Sequence, residues 1–176
     1  MTQTNNVDFL NEAVLGESSN KLHLHGVSEC RLAAINLAAQ ARRSIYILSY
    51  DLDSQIYNQS DFLDAVKNLA ILSEHSRIKV LLQNNEKAQR EGHRLVHLWR
   101  RLTSKIEVRR PPADYIDHSE NFLLVDETGY LHRKLYTDYE AIVDFNSRLE
   151  ANKLSILFNE IWEQSEPDSE LRSLHI

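Results

Sequence analysis

The chain has 176 residues, a length that suits one compact domain, and 42% of them are apolar, enough for a real core. Its net charge of −6 speaks against a broadly basic surface for nucleic acid. The single cysteine, Cys30, excludes an internal disulfide framework and a cysteine-based zinc cluster, and reads as a small buried apolar residue.

Residues 1–20 are polar and acidic, with neither the basic start nor the apolar run of a secretory signal. They read as a mobile arm or a short docked helix. No apolar stretch is long enough to cross a bilayer, so a cytoplasmic protein with no membrane partner is expected. KLHLHG (21–26) alternates as a short strand, with His23 and His25 on one face and no obvious third metal ligand. Ser28 is placed to cap a helix running to Arg43, with Leu32, Ile35 and Ala39 as its apolar stripe. SIYILSYDL (44–52) is rich in β-branched and aromatic residues and predicts a strand. Phe62, Val66 and Leu69 share a helical face after Ser60, and RIKVLLQN (77–84) is the next buried strand.

A helix is expected near 86–103, with Leu95, Leu98, Trp99 and Leu102 at helical spacing. It carries His93 and His97 four residues apart, a spacing that suits metal. Arg94 stands where a zinc protease needs glutamate, so metal binding is disfavoured. The run from Lys87 to Arg110 is basic and reads mainly as a solvated helix face. KIEVRR (105–110) is a short strand stopped by Pro111 and Pro112. This β-α alternation implies a largely parallel sheet flanked by helices on both faces.

The pattern then changes. NFLLVD (121–126), GYLHRKL (129–135) and EAIVDF (140–145) follow without intervening helices, and a tight turn at 127–129 makes the first two a hairpin. SRLE (147–150) has capping-box spacing before a helix buried through Leu154, Leu157, Phe158 and Ile161. Trp99, Trp162 and Phe158 are assigned to the core. The acidic tail is expected to fray. The division is an arm (1–20), a domain (21–165) and a polar tail (166–176).

The order of these pieces resembles one half of a phospholipase D superfamily enzyme. The resemblance rests on AQARRSIYILSYDL, RIKVLLQN, DYIDHSENFLLVDETGYLHR, AIVDFN and LSILFNEIWEQS, and covers roughly residues 25–165. It implies an α/β fold with a mixed, largely parallel sheet. The family signature is H-x-K-x4-D followed by G-S-x-N. One histidine attacks phosphorus, a second from another motif copy protonates the leaving group, and lysine and asparagine hold the phosphate.

Neither register of that signature works here. Anchoring on Asp126 puts Ser119 in the histidine position and Asn121 in the lysine position. Anchoring on His118 puts Glu120, a phosphate-repelling carboxylate, in the lysine position and leaves Asp126 one residue too far. Arg133, Lys134 and Tyr136 stand where Gly, Ser and Asn belong. The motif therefore reads as degenerate. His118 is either a displaced nucleophile or phosphate ligand, or a histidine beside a strand, and Asp126 either supports the site or only ends a strand. Arg109 and Arg110 lie at the carboxyl end of a predicted parallel strand, where such sheets commonly bind ligands. The loop 111–121 would bring His118 and Asn121 near them, although adjacent arginines point to opposite faces. The plainer alternative is that both are solvated or paired with carboxylates.

Two functional classes follow. One is an inactive binding or assembly module, retaining an anion pocket or binding a protein partner through Arg109, Arg110, His118, Ser119, Asn121 and Asp126. The other is a phosphodiesterase or nuclease rebuilt around His118. Because family enzymes combine two motif copies and this chain supplies one, the resemblance implies a homodimer. No cofactor or metal is expected.

Overall fold

The computed structural model describes residues 5–173. In chain order the elements are α1 (Asn6–Glu12), β1 (Leu22–His25), α2 (Val27–Ala39), β2 (Ser44–Ser49), α3 (Ser54–Tyr57), α4 (Ser60–Leu72), β3 (Arg77–Leu82), α5 (Glu86–Glu91), α6 (Arg94–Arg101) and β4 (Ile106–Arg110). After a short 3-10 turn come β5 (Asn121–Val125), β6 (Gly129–Arg133), β7 (Glu140–Asp144), α7 (Arg148–Gln164), β8 (Glu166–Pro167) and α8 (Ser169–Arg172).

One sheet takes the order β1-β7-β6-β5-β2-β3-β4-β8. Strand β2 lies at its centre and is apolar on both faces, because strand side chains alternate. Ile45 and Ile47 enter a core with α1, α2, α3 and α4. Leu48 enters the other core, where Phe122, Leu124 and Tyr130 meet Ala151, Leu154, Phe158, Ile161 and Trp162 of α7. The mixed α/β class with helices on both faces is as expected from the sequence. Parallel pairing, however, is confined to β2–β3 and β3–β4, and the other strand pairs are antiparallel. A tight turn joins β5 to β6 and a six-residue loop (134–139) brings β7 alongside, connections too short for parallel pairing. Strand β1 opens no parallel series; it pairs antiparallel with β7, Leu22 against Val143.

Local expectations shift at several points. Gly26, not Ser28, is the N-cap residue of α2. The helix expected near 86–103 is two helices, because Gly92 turns left-handed at φ +60° and closes α5. His93 then caps α6, its Nδ1 accepting the Leu95 N–H at 3.2 Å. Ser147 stands at the N-cap of α7 without a side-chain cap bond, so the capping box does not form. The hairpin turn centres on Asp126 and Glu127, both left-handed (φ +52° and +51°), with the Thr128 N–H donating to the Val125 carbonyl.

Both chain ends are docked where they are described. In the arm, α1 lies against α2, with Leu10 fully buried and Asn36 Nδ2 donating to its carbonyl at 2.7 Å. Residues 1–4 of the arm and 174–176 of the tail lie outside the described residues. The tail expected to fray is instead held through residue 173. Glu166 and Pro167 pair with Arg110 and Arg109 of β4, and Leu171 is buried. The Asp168 carboxylate caps α8 by accepting the Leu171 N–H at 3.1 Å, and also accepts from Asn85 Nδ2. Its side chain is wholly inaccessible, so Asp168→Ala leaves the Leu171 N–H uncapped and Asn85 with only its Glu170 bond. The variant is expected to lose about 2 kcal/mol or more of stability in urea unfolding. A loss near zero would mean the tail is not held as described.

Candidate functional site

The motif segment is positioned by its last residue. Asp126 is buried, and its carboxylate accepts three backbone N–H groups: Arg42 at 2.9 Å, Arg43 at 2.8 Å and Ser44 at 2.8 Å. This ties the β5–β6 turn to the entry of β2 and fixes the antiparallel register, Ile45 against Val125 through Leu48 against Phe122. The motif positions therefore fall at the other end of β2, one strand length away.

There Asn121 starts β5, 1% exposed, with its Oδ1 accepting the Tyr50 N–H at 2.9 Å. Gln83, just past β3, donates its backbone N–H to the Ser49 carbonyl and its Nε2 to the Tyr115 carbonyl at 3.1 Å. The His118 N–H also donates to Tyr115 O, at 3.0 Å. Three enclosed polar atoms in this group have no partner among the described residues: Gln83 Oε1, His118 Nε2 and Asn121 Nδ2. Ser119 is engaged, its Oγ donating to the Lys134 carbonyl at 3.1 Å. Its own carbonyl accepts the Tyr136 N–H at 2.9 Å, and Tyr136 stacks on Tyr50 with centroids 4.0 Å apart. Glu120 meets His132 Nε2 at 2.9 Å.

Sequence reasoning missed Arg133, which it weighed only as a failed glycine position. In the hairpin register Arg133 sits directly opposite Asn121, beside the family's lysine position. It is 3% exposed and fully engaged. Its guanidinium pairs with Asp53 at 3.1 Å, donates to the Tyr136 and Asp138 carbonyls, and stacks over Tyr139 at 4.6 Å. The signal was available: in GYLHR, alternation puts Arg133 on the same core face as Leu131. Burial, with the Asp53 hydrogen bond, pushes the Tyr139 hydroxyl up to about 12. Burial pushes the Cys30 thiol up to about 11, and its Sγ donates to the Tyr139 carbonyl. This is an inert structural cysteine.

Arg109 and Arg110 do point to opposite faces, and each has internal partners. Arg109 donates to the Trp162 carbonyl at 3.1 Å and lies 4.3 Å from the centroid of that ring. Arg110 meets Glu170 at 2.8 Å and Asp168 at 3.5 Å. Hydrogen bonds from Asn85 and Arg110 hold the Glu170 carboxyl below its ordinary range. Arg110 lines a cavity of about 320 Å³ with Pro111, Pro112 and Glu166. No hydrogen bond joins either arginine to His118, Ser119 or Asn121 among the described residues.

This architecture is that of the phospholipase D-like fold. It is similar to Nuc from Salmonella typhimurium, a phospholipase D family member (TM-score 0.58, 15% identity, 84% of this chain and 98% of that one). It is similar to TrmBL2, an archaeal chromatin protein (TM-score 0.60, 17% identity, 83% of this chain). A third likeness is to phosphatidylserine synthase from Haemophilus influenzae (TM-score 0.55, 12% identity, 88% of this chain and 41% of that one). The chain spans about half of TrmBL2, 53% of its length. Within this fold the chain belongs to the family described as "Domain of unknown function (DUF7931)", whose profile matches residues 26–174. No curated protein sequence matches it.

Two outcomes follow from the geometry. Asp126→Ala removes one carboxylate from three N–H groups and places alanine in a left-handed turn. It is expected to cost about 3 kcal/mol in denaturant unfolding, since hydrogen bonds to charged groups contribute roughly 1.5–3 kcal/mol. A cost below about 1 kcal/mol would remove Asp126 as the anchor. The second concerns His93, 1% exposed, whose pKa burial lowers from 6.5 to about 4. The unfolded chain binds a proton there before the folded one does, so stability falls as pH drops from 6.5 to about 4. The full loss is roughly 3 kcal/mol. His93→Asn keeps a capping side chain and is expected to flatten that part of the stability–pH profile. An unchanged slope would assign it to other groups.

Proposed function

We propose that this protein is a catalytically inactive phospholipase D-like module that binds or assembles through the edge where family enzymes perform chemistry. The observation that carries this reading is the occupancy of the motif positions in the register fixed by Asp126. Ser119, in the histidine position, has its hydroxyl bonded to the Lys134 carbonyl. Asn121, in the lysine position, is neutral, and the nearby cation Arg133 is paired with Asp53. Ser119 and Asn121 therefore supply neither an activated nucleophile nor a charge for phosphate. The internal partners of Arg109 and Arg110 favour a protein partner over a phosphate-like anion. TrmBL2 is described as binding DNA, but the net charge of −6 argues against wide contact with a phosphate backbone here.

A homodimer across the motif edge belongs to this reading. Its support is the single motif copy and two exposed apolar side chains on the motif segment and the loop after β6, Ile116 at 67% and Leu135 at 48%. Light scattering at micromolar concentration is expected to give twice the 20.5 kDa chain mass. A clean monomer would count against this interface and leave the fold untouched.

One observation favours a second reading, a phosphodiesterase rebuilt around His118: its Nε2 is enclosed and unpartnered among the described residues. Assays on a generic phosphodiester and on DNA, with and without divalent metal, separate the two. No turnover above a matched blank is expected. Turnover abolished by His118→Ala would establish the second reading, and turnover indifferent to that change would point to a contaminant or another site.

A further inference from the structure

The amino edge of the parallel strands, opposite the motif edge, collects positive charge. Strand pairing sets Arg77 against Ser44 and Ile78 against Ile106, which lines up Arg43, Arg77 and Lys105 along neighbouring strand starts, with Arg42 beside them. Arg42, Arg43 and Arg77 are exposed. Among the described residues, none of these four cations forms an ion pair, although the chain carries more carboxylates than cations. Arg43 Nη2 reaches only the Asp126 carbonyl at 3.4 Å, Arg77 reaches the Glu74 and Ser76 carbonyls, and Lys105 reaches the Ser73 carbonyl. The Asp126 carboxylate is already held by three backbone N–H groups.

Arg42 and Arg43 also line a cavity of about 680 Å³, together with Val14, Glu17 and Leu72. Two of its walls are exposed aliphatics, Leu72 at 62% and Val14 at 42%, and Ile71 beside it is 67% exposed. Basic groups alternating with aliphatic ones fit carboxylates and apolar anchors together. They fit nucleic acid poorly. No aromatic side chain lines the cavity to stack a base, and the exposed carboxylates of Glu17, Glu74 and Glu127 oppose an evenly charged phosphate backbone, whereas a peptide can place its few carboxylates at the arginines and its apolar residues elsewhere.

We infer that this edge is an interaction surface for an acidic protein segment bearing apolar anchor residues. The anchors seat against Val14 and Leu72, and the segment's carboxylates meet Arg42, Arg43 and Arg77. Charge complementarity of this kind mainly sets the association rate and the choice of partner. The site is independent of the motif edge, so its failure leaves the preceding reading unaffected.

The test uses the full chain and a fluorescein-labelled twelve-residue peptide of alternating Glu and Leu, followed by anisotropy. Saturable binding that weakens with salt is expected. Arg42→Glu with Arg43→Glu, and separately Leu72→Asp, should each weaken it about tenfold or more. The control pair Arg90→Glu with Arg101→Glu, exposed on α5 and α6, should leave it unchanged. Should a variant misfold by circular dichroism, amide shifts on the unaltered protein decide, with residues 14–17, 40–43 and 72–77 expected to move. Absence of binding, equal binding of the Gln-for-Glu peptide, equal loss in the control pair, or tighter binding of a single-stranded oligonucleotide would each overturn the inference.

Discussion

Most of this molecule hangs on one buried carboxylate. Asp126 holds three consecutive N–H groups at the entry of β2 and so locks the turn of the β5–β6 hairpin to the start of the central strand. Without that tie, the β2–β5 register depends on side-chain packing and on the Asn121 bond to the Tyr50 N–H at the far end, and a one-residue slip would exchange the two cores. With it, Leu123 and Val125 face α2 and α4 while Phe122 and Leu124 face α7. The same contact sets where each end of the sheet presents its side chains. Asn121 falls at the carboxyl edge and the Arg42–Arg43 pair at the amino edge.

At the carboxyl edge, this phospholipase D-like frame carries Ser119 and Asn121, with Arg133 directly opposite Asn121. Beside Asn121, the Arg133 guanidinium is turned inward to Asp53 and to the carbonyls of the 134–139 loop. A buried, paired guanidinium orders a loop well and binds an incoming phosphate poorly, since releasing it would strand the Asp53 charge. That loop in turn carries Tyr136, stacked on Tyr50, and the Lys134 carbonyl that holds Ser119. This edge is thus packed and hydrogen-bonded.

Much of the fold was legible because local pattern and burial agree. The run SIYILS is apolar on both faces and lies in the middle of the sheet, and the Phe158–Trp162 stripe packs as its helical spacing implies. What escaped was decided by partners far away in sequence. Nothing in KLHLHG signals that its neighbour is β7, more than a hundred residues on. The acidic tail looked solvated because its carboxylates could not be matched in advance to Asn85 and Arg110. Gly92 was passed over inside a helical pattern, where a left-handed cap was its plainest use. In the site, the structural reading of Asp126 was visible. Arg133 was hidden by comparison with a motif that has no cation there, and the unpaired amino-edge arginines drew no notice beside the more conspicuous 87–110 run.

The proposed inactivity is tested most directly through a covalent intermediate: the protein is incubated at high concentration with a chromogenic phosphodiester, quenched, and weighed intact by mass spectrometry, since histidine attack on phosphorus would leave a phosphohistidine. The expected result is the unmodified chain mass at all times. A phosphoryl adduct mapping to His118 and absent from His118→Ala would contradict the proposal, because it would mean that His118 attacks phosphorus.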